Sequence, residues 1–348
     1  KEGSRHYDVL EPFFNPIVKS VKQKDKPDTL PSYPHSPVIC RVEFDSPEKI
    51  IHKAKGSDNF PMTWADDDNL YTAYGDGNGF EPYIKEKLSL GFAQISGFPP
   101  NISAENIRSK TGEVFGDGKS GKKASGLLMV DKRLYMLVRN AGNSQLEYSD
   151  DYARNWTWAN WKFTESFGFP TFLNFGKNYS DALDDYVYIY SLDSDSAYEA
   201  CDRIILARVK KNLVLNRNTY EFFSGFDADN NPVWSSDISR RTAVFLYPEH
   251  CYRFSVSYNA GLKRYLLPMV LPNKDSNRNG GFGIYDAPQP WGPWTTCFFT
   301  NNWDVSPGEC LSFPTKWMSE DGKTLHLVFS GDDSFSVRKA KFVTNENK

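Results

Sequence analysis

Histidine, methionine and cysteine are scarce, with five of each in 348 residues. The cysteines (Cys40, Cys201, Cys251, Cys297 and Cys310) never fall in a Cys-x-x-Cys pair, which argues against a zinc site. They read as isolated buried thiols, with one or two disulfides left open should the chain be secreted. No run of 18 apolar residues occurs, so no membrane span is expected. Charge of one sign is also lacking: 41 Lys and Arg against 44 Asp and Glu leave a net charge of −3. Nucleic-acid binding draws on clustered basic residues, and none is expected here. The run Gly75–Gly79 lacks the Lys-Ser/Thr of a phosphate loop and the spaced acids of an EF-hand. It reads as a hairpin loop carrying an exposed carboxylate. Helical periodicity is rare. A short helix is expected at Ser46–Lys55, and Asp202–Leu215 reads as a pair of strands.

Aromatic residues are plentiful: 19 Tyr, 25 Phe and 9 Trp, alongside 24 Gly and 21 Pro. That mixture suits many short strands joined by tight turns. Most of the aromatics belong in a core, and some Trp and Tyr could be platforms for sugar rings. A weak internal repeat runs through the chain. Turn residues precede an alternating strand at Asp67–Tyr74, Asp131–Val138, Asp184–Tyr190, Ala260–Leu267 and Asp321–Phe329. With Leu70, Leu134, Val187, Tyr265 and Leu325 taken as equivalent, the gaps are 64, 53, 78 and 60 residues. Each copy follows another apolar segment, so each unit begins as a β-hairpin. Five such units predict an all-β, single β-propeller of five blades, with seven possible if two blades hide in the longer insertions. Phe335–Phe342 is expected as the third strand of the last blade, and Val38–Phe44 as the N-terminal strand that closes the ring. Residues 1–37, charged and punctuated by proline, read as an N-terminal arm, and 38–348 as the propeller. Ser149-x-Asp151-x-Ala153-x-Asn155-Trp156 is a degenerate form of the Asp-box, a structural turn motif of sialidase-like propellers.

Propeller geometry turns this reading into a site. Residues just before the innermost strand of a blade and just after its second strand converge on one end of the axis. The first blade then contributes Asp58 and Asp76, and the second Lys122, Lys123, Arg139 and Asn140. The third contributes the Phe167 loop, Asp193 and Asp195; the fourth, Glu249, His250 and Arg253; the fifth, Glu309, Asp332 and Asp333. Asp66, Asp67 and Asp68 fall on the opposite face. Two carboxylates flanking a sugar can hydrolyse a glycosidic bond, one giving a proton and the other activating water or attacking carbon. Asp58 and Glu309 form the first pair, and Asp76 could tune either. Lys123, Arg139, Asn140, Asp193, His250 and Arg253 are expected to bind substrate, the cations orienting a hydroxyl or neutralising an acidic sugar. The chemistry requires no cofactor, and calcium at the axis is left open.

Several stretches bear on a family. Asp58–Phe80, Ser125–Val130, Pro170–Tyr179 and Tyr258–Tyr265 resemble proteins labelled as carrying the domain of unknown function 4185. The resemblance covers roughly residues 55–340. Some members of that broad group are similar to endo-D-arabinanases, glycoside hydrolases on a five-bladed propeller that use acidic residues. The resemblance implies a secreted, periplasmic or cell-surface protein that degrades a glycan. The expected function is a glycoside hydrolase, acting as a monomer on a carbohydrate substrate. A polysaccharide lyase would instead use a base such as His250 and hold a uronate with Arg139 and Arg253. A non-catalytic glycan-binding propeller is the third reading.

Overall fold

The computed structural model describes residues 33–272 and 280–345, and these form strands joined by turns, with only single turns of 3-10 helix between them. Two strands open the chain: β1 (Ile39–Phe44) and β2 (Ile51–Lys53). Blade one is the antiparallel meander β3 (Met62–Trp64), β4 (Leu70–Tyr74), β5 (Gly91–Phe98) and β6 (Asn101–Ile107). Blade two is β7 (Lys123–Val130), β8 (Arg133–Arg139), β9 (Ser144–Ser149) and β10 (Thr157–Phe163). Blade three runs β11 (Thr171–Asn174), β12 (Tyr186–Leu192), β13 (Cys201–Lys210), β14 (Glu221–Phe226) and β15 (Pro232–Ser235). One end of β13 pairs with an extra strand, β16 (Ala243–Cys251). Blade four is β17 (Val256–Asn259), β18 (Arg264–Val270), β19 (Phe282–Ala287) and β20 (Thr295–Thr300). Blade five is β21 (Leu311–Ser312), β22 (Thr324–Phe329) and β23 (Phe335–Thr344), completed by β1 and β2 on the outer edge of β23.

The result is a five-bladed propeller whose ring is closed by the N-terminal strand, as the repeat predicts. Leu70, Leu134, Val187, Tyr265 and Leu325 all lie in the second strand of their blade. Met62, Leu127, Phe172, Val256 and Leu311, one from each innermost strand, line a single axial cavity of ≈ 40 Å³. Neighbouring blades bury their apolar faces against one another. Ala73 and Phe92 of blade one meet Leu127, Met136 and Trp156 of blade two. Leu266 and Ile284 of blade four meet Leu325 and Phe342 of blade five. Val328, Phe335 and Val337 of blade five meet Leu70, Tyr74 and Ile95 of blade one, which closes the ring through side chains.

The repeated turn has a physical basis. In blade one the Asp67 carboxylate accepts from the Asn69 backbone N–H at 3.0 Å and from the Tyr71 hydroxyl at 2.7 Å. In blade three Asp184 does the same with the Tyr186 N–H, 2.9 Å, and the Tyr188 hydroxyl, 2.6 Å. Each Asp closes the tight turn, and a tyrosine four residues on, near the start of the second strand, anchors it. The Asp-box holds as a structural motif. Ser149 Oγ donates to Asp151, the Asn155 N–H donates to Asp151 at 2.8 Å, and Trp156 stacks on Phe92 at 5.1 Å, tying blade two to blade one.

Two local expectations are corrected. Ser46–Lys55 is a 3-10 turn at Pro47–Lys49 followed by β2, because Ile51–Lys53 can pair with Phe335–Val337 on an open sheet edge. Asp202–Leu215 is not a strand pair: β13 is one strand to Lys210, and Lys211–Leu213 is a 3-10 turn. Of the expected arm, residues 1–32 lie outside the described residues. Tyr33 is buried against Phe245 and Tyr285, and Ser36 donates to Asp286 at 3.0 Å.

Candidate active site

The innermost hairpins deliver their flanking residues to one end of the axis. Asp58 precedes β3 and forms an isolated bridge with Gly75, just past β4. Lys123 and Arg139 face each other across the β7–β8 hairpin at its open end. Arg253 precedes β17, and Glu309 precedes β21. These residues share one electrostatic environment. Burial, above all, raises the Asp58 carboxyl to about 6; Glu309 and Asp76 push it up further, while Lys123 and Arg139 pull it down. Asp58 Oδ1 is buried without a hydrogen-bond partner among the described residues, so that oxygen has no donor to stabilise its ionised form.

Apart from Arg139, the rest of the cluster is paired charge. Lys123, buried to 2% exposure, forms an ion pair with Asp76. Asp76 also accepts the Gly118 N–H at 3.1 Å, and its backbone φ of 45° lies in the left-handed region that non-glycine residues avoid. Glu309 is half exposed, ion-paired with the buried Arg253, and fixed through its N–H to Ser330 Oγ at 2.8 Å. Gly75 lets these groups meet: a Cβ there would lie 2.6 Å from Asp58 Oδ1 and 3.4 Å from Lys123 Nζ. Beside the cluster opens a cleft of ≈ 760 Å³ lined by Tyr252, Glu309, Ser330, Asp332 and Asp333. Asp332 also lines a second cavity, ≈ 520 Å³, with His52, Lys55, Phe80 and Tyr83. Clefts of this size suit a ligand of several rings.

The structure thus groups Asp58, Asp76, Lys123, Arg139, Arg253 and Glu309. Asn140 stands at the rim: its Nδ2 donates to the Gly121 carbonyl at 2.6 Å and to the Tyr198 hydroxyl at 3.0 Å. Asp193 and His250 are not with them. The Asp193 carboxylate is sequestered between Arg203, 2.5 Å, and Arg241, 2.8 Å, and accepts from Ser166 Oγ. Those partners hold its carboxyl below the usual range against the opposing effect of burial. His250 lies in β16, an outer strand of blade three, stacked on Tyr247 at 4.6 Å with Nδ1 donating to the Pro248 carbonyl. The chain reaches the axis only after Cys251, so a residue assigned to blade four belongs to blade three. Phe167 is core, stacked on Phe163 at 4.4 Å. Lys122 lies over the Trp158 ring. Tyr198, in an irregular loop after β12, was not foreseen; its ring centre is 5.1 Å from both the Arg139 and Arg253 guanidinium carbons. Among the described residues no three His, Cys, Asp or Glu side chains converge as a metal-ligand set. No helix there is long and apolar enough to cross a membrane.

Fold and site together define a five-bladed propeller with a buried cluster of carboxyl and cationic groups at one end of its axis. Residues 125–339 match the model of the family described as "Domain of unknown function (DUF4185)", and the chain belongs to that family. The Asp58–Phe80 stretch, the longest part of the sequence resemblance, lies before the matched span. No curated protein matches the sequence. Among solved structures, the catalytic domain of a GH62 alpha-L-arabinofuranosidase from Coprinopsis cinerea is 11% identical, with a TM-score of 0.48 and coverage of 91% of this chain and 100% of that one. An alpha-L-arabinofuranosidase from Podospora anserina, solved with cellotriose, is 11% identical with a TM-score of 0.47, covering 90% of this chain and 99% of that one. A putative hydrolase from Bacteroides ovatus is 12% identical with a TM-score of 0.47, covering 82% of this chain and 86% of that one. The blade count rests on the strand pairings above, and the chemistry on the cluster.

Proposed function

We propose that this propeller is a glycoside hydrolase that cleaves a polysaccharide or oligosaccharide with Asp58 and Glu309. The observation that carries the reading is Asp58: a carboxyl raised to about 6, without a hydrogen-bond partner for Oδ1 among the described residues, in the same axial cluster as a second carboxylate held in an ion pair. Environments that separate two carboxyl groups in this way assign their roles. Below about pH 6 Asp58 holds a proton and gives it to the glycosidic oxygen as the bond from that oxygen to the anomeric carbon breaks. Glu309, held in the ion pair with Arg253, either takes a proton from the attacking water or attacks the anomeric carbon itself. Asp76 sets the charge balance through Lys123. A polymer substrate suits an extracytoplasmic location.

The lyase reading loses support because His250, its base, points into its own loop in blade three. The non-catalytic reading gives no role to a buried carboxyl with a raised pKa. Reducing-end release from neutral and acidic polysaccharides tests the proposal. A hydrolase generates new reducing ends without the ultraviolet absorbance of an unsaturated sugar, and Asp58→Asn and Glu309→Gln abolish the release. Unsaturated products would overturn it in favour of a lyase.

A further inference from the structure

Arg139 is an unusual group to find at the end of a propeller blade. Its side chain has 0% exposure, and none of its three guanidinium nitrogens has a hydrogen-bond acceptor among the described residues. A guanidinium carries five N–H donors and cannot shed its charge at ordinary pH. A buried cation without a partner is costly and marks a place where an anion belongs. The rings beside it do not supply one. The guanidinium carbon lies 5.6 Å from the Phe169 ring centre and 5.1 Å from that of Tyr198. A second cation, Arg253, stands close enough that, after burial, it is the main influence pulling the Arg139 pKa down to about 10.

The ion pairing around the axis is unequal. Lys123 has Asp76 and Arg253 has Glu309, but among the described residues Arg139 is in no ion pair. Asp58 is the remaining carboxyl among the groups whose charge acts on Arg139, and in the proposed mechanism it holds a proton. Tyr198, half-buried, lies against both guanidiniums, and its hydroxyl is held by Asn140 and donates to the Gly118 carbonyl at 3.1 Å. The 760 Å³ cleft is lined by Tyr252 and Glu309, the ring and the carboxylate that lie against Arg253.

We propose that Arg139 and Arg253 form a carboxylate subsite beneath Tyr198, so that the glycan recognised at this axis is an acidic one containing a uronic acid. This deepens the hydrolase reading and rests on it for the identity of the ligand as a sugar. A guanidinium offers two parallel N–H donors to a carboxylate, which an alcohol in the same place cannot use. Discrimination between a uronic acid and its neutral counterpart therefore comes from this pair. Arg253 is shared with Glu309, so Arg139 is the residue dedicated to the substrate.

The test pairs molecules that differ only in the carboxylate. Glucuronate and galacturonate are compared with glucose and galactose by thermal unfolding of the full chain, because a ligand bound to the native state alone raises Tm. In parallel, uronic-acid polysaccharides and their carboxyl-reduced forms are compared as substrates. Expected is a Tm rise of a few degrees with at least one uronate and none with the neutral sugars, and at least about 100-fold faster cleavage of the acidic form than of its reduced counterpart. Arg139→Met, which removes a buried unpaired charge and keeps the bulk, is expected to fold and to lose both differences. No Tm rise with either uronate, or equal cleavage of acidic and reduced polysaccharides, overturns the subsite. Cleavage of neutral glycans alone overturns it while leaving the hydrolase standing. A carboxylate-dependent Tm rise, lost in Arg139→Met, without new reducing ends on any substrate overturns the hydrolase and leaves the subsite.

Discussion

Replacing Asp58 with asparagine exposes the conflict between stability and activity at this axis. The change keeps size and shape and removes only the ability to ionise and to donate an acidic proton. The folded carboxyl stands at about 6 against an ordinary value of 3.8. Its folded-state pKa is raised, so the wild type is at its most stable below the unfolded pKa and loses stability as pH rises from about 4 through about 6. That interval corresponds to at most about 3 kcal/mol, at roughly 1.36 kcal/mol per pKa unit. Below about pH 4, Asp58→Asn is therefore nearly neutral in denaturant unfolding, and by pH 5 about half of the difference has developed. At neutral pH it is more stable than the wild type by up to about 3 kcal/mol. Activity goes the other way: a positioned acid contributes about 10²–10⁴-fold, or roughly 3–5 kcal/mol of barrier. The wild-type rate is expected to fall as pH rises through about 6, because Asp58 is then losing its proton. A variant that is less stable at neutral pH, or that retains full hydrolytic rate, refutes the reasoning. A rate that instead rises through the same pH reverses the roles of Asp58 and Glu309.

Three further outcomes follow from the packing. Gly75→Ala places a Cβ 2.6 Å from Asp58 Oδ1 and is expected to lower the hydrolytic rate by roughly tenfold or more while leaving far-ultraviolet circular dichroism unchanged; a fully active variant contradicts the assembly of the site around Gly75. Glu147 in β9 is buried with both carboxyl oxygens unpartnered among the described residues, and burial raises it to about 8. Its folded pKa is raised, so stability is lost as pH rises through about 8, at up to roughly 1.4 kcal/mol per pH unit; Glu147→Gln is expected to flatten that slope in denaturant titrations at several pH values, and an unchanged slope refutes it. Tyr188→Phe removes the hydroxyl that anchors Asp184 in the blade-three turn and is expected to cost about 1 kcal/mol of stability with no effect on rate, the turn being at the other end of its strand from the axial site.

The fold was legible because its local and global signals agree. A turn closed by its own aspartate, with tyrosine four residues on, marks β4 and β12; Asp131 and Tyr135 keep the same spacing at β8, and the last two hairpins recur without that tyrosine. Asp58, Lys123, Arg139, Arg253 and Glu309 were legible for a geometric reason: residues flanking an innermost hairpin have one place to go. Position relative to a strand does not fix a side chain's partners. Asp193 sits where the rule puts it, yet Arg241, 48 residues later, claims its carboxylate. His250 failed because β16 is an insertion that pairs with β13 and delays the entry of the chain into blade four. Tyr198 lies in an irregular loop without periodicity, and only the two guanidiniums against its ring reveal its place. Gly75 gave no sign of its role, since the need for a missing Cβ exists only once Asp58 and Lys123 are brought together.

Release of reducing ends from a panel of neutral and uronic-acid polysaccharides, followed alongside ultraviolet absorbance for wild type, Asp58→Asn and Glu309→Gln, bears most directly on the claim that two axial carboxyl groups cleave a glycosidic bond. The account predicts new reducing ends without absorbance from the wild type, and at least about 100-fold less from each variant with the fold intact. Release that survives both substitutions, or that is accompanied by unsaturated products, contradicts it.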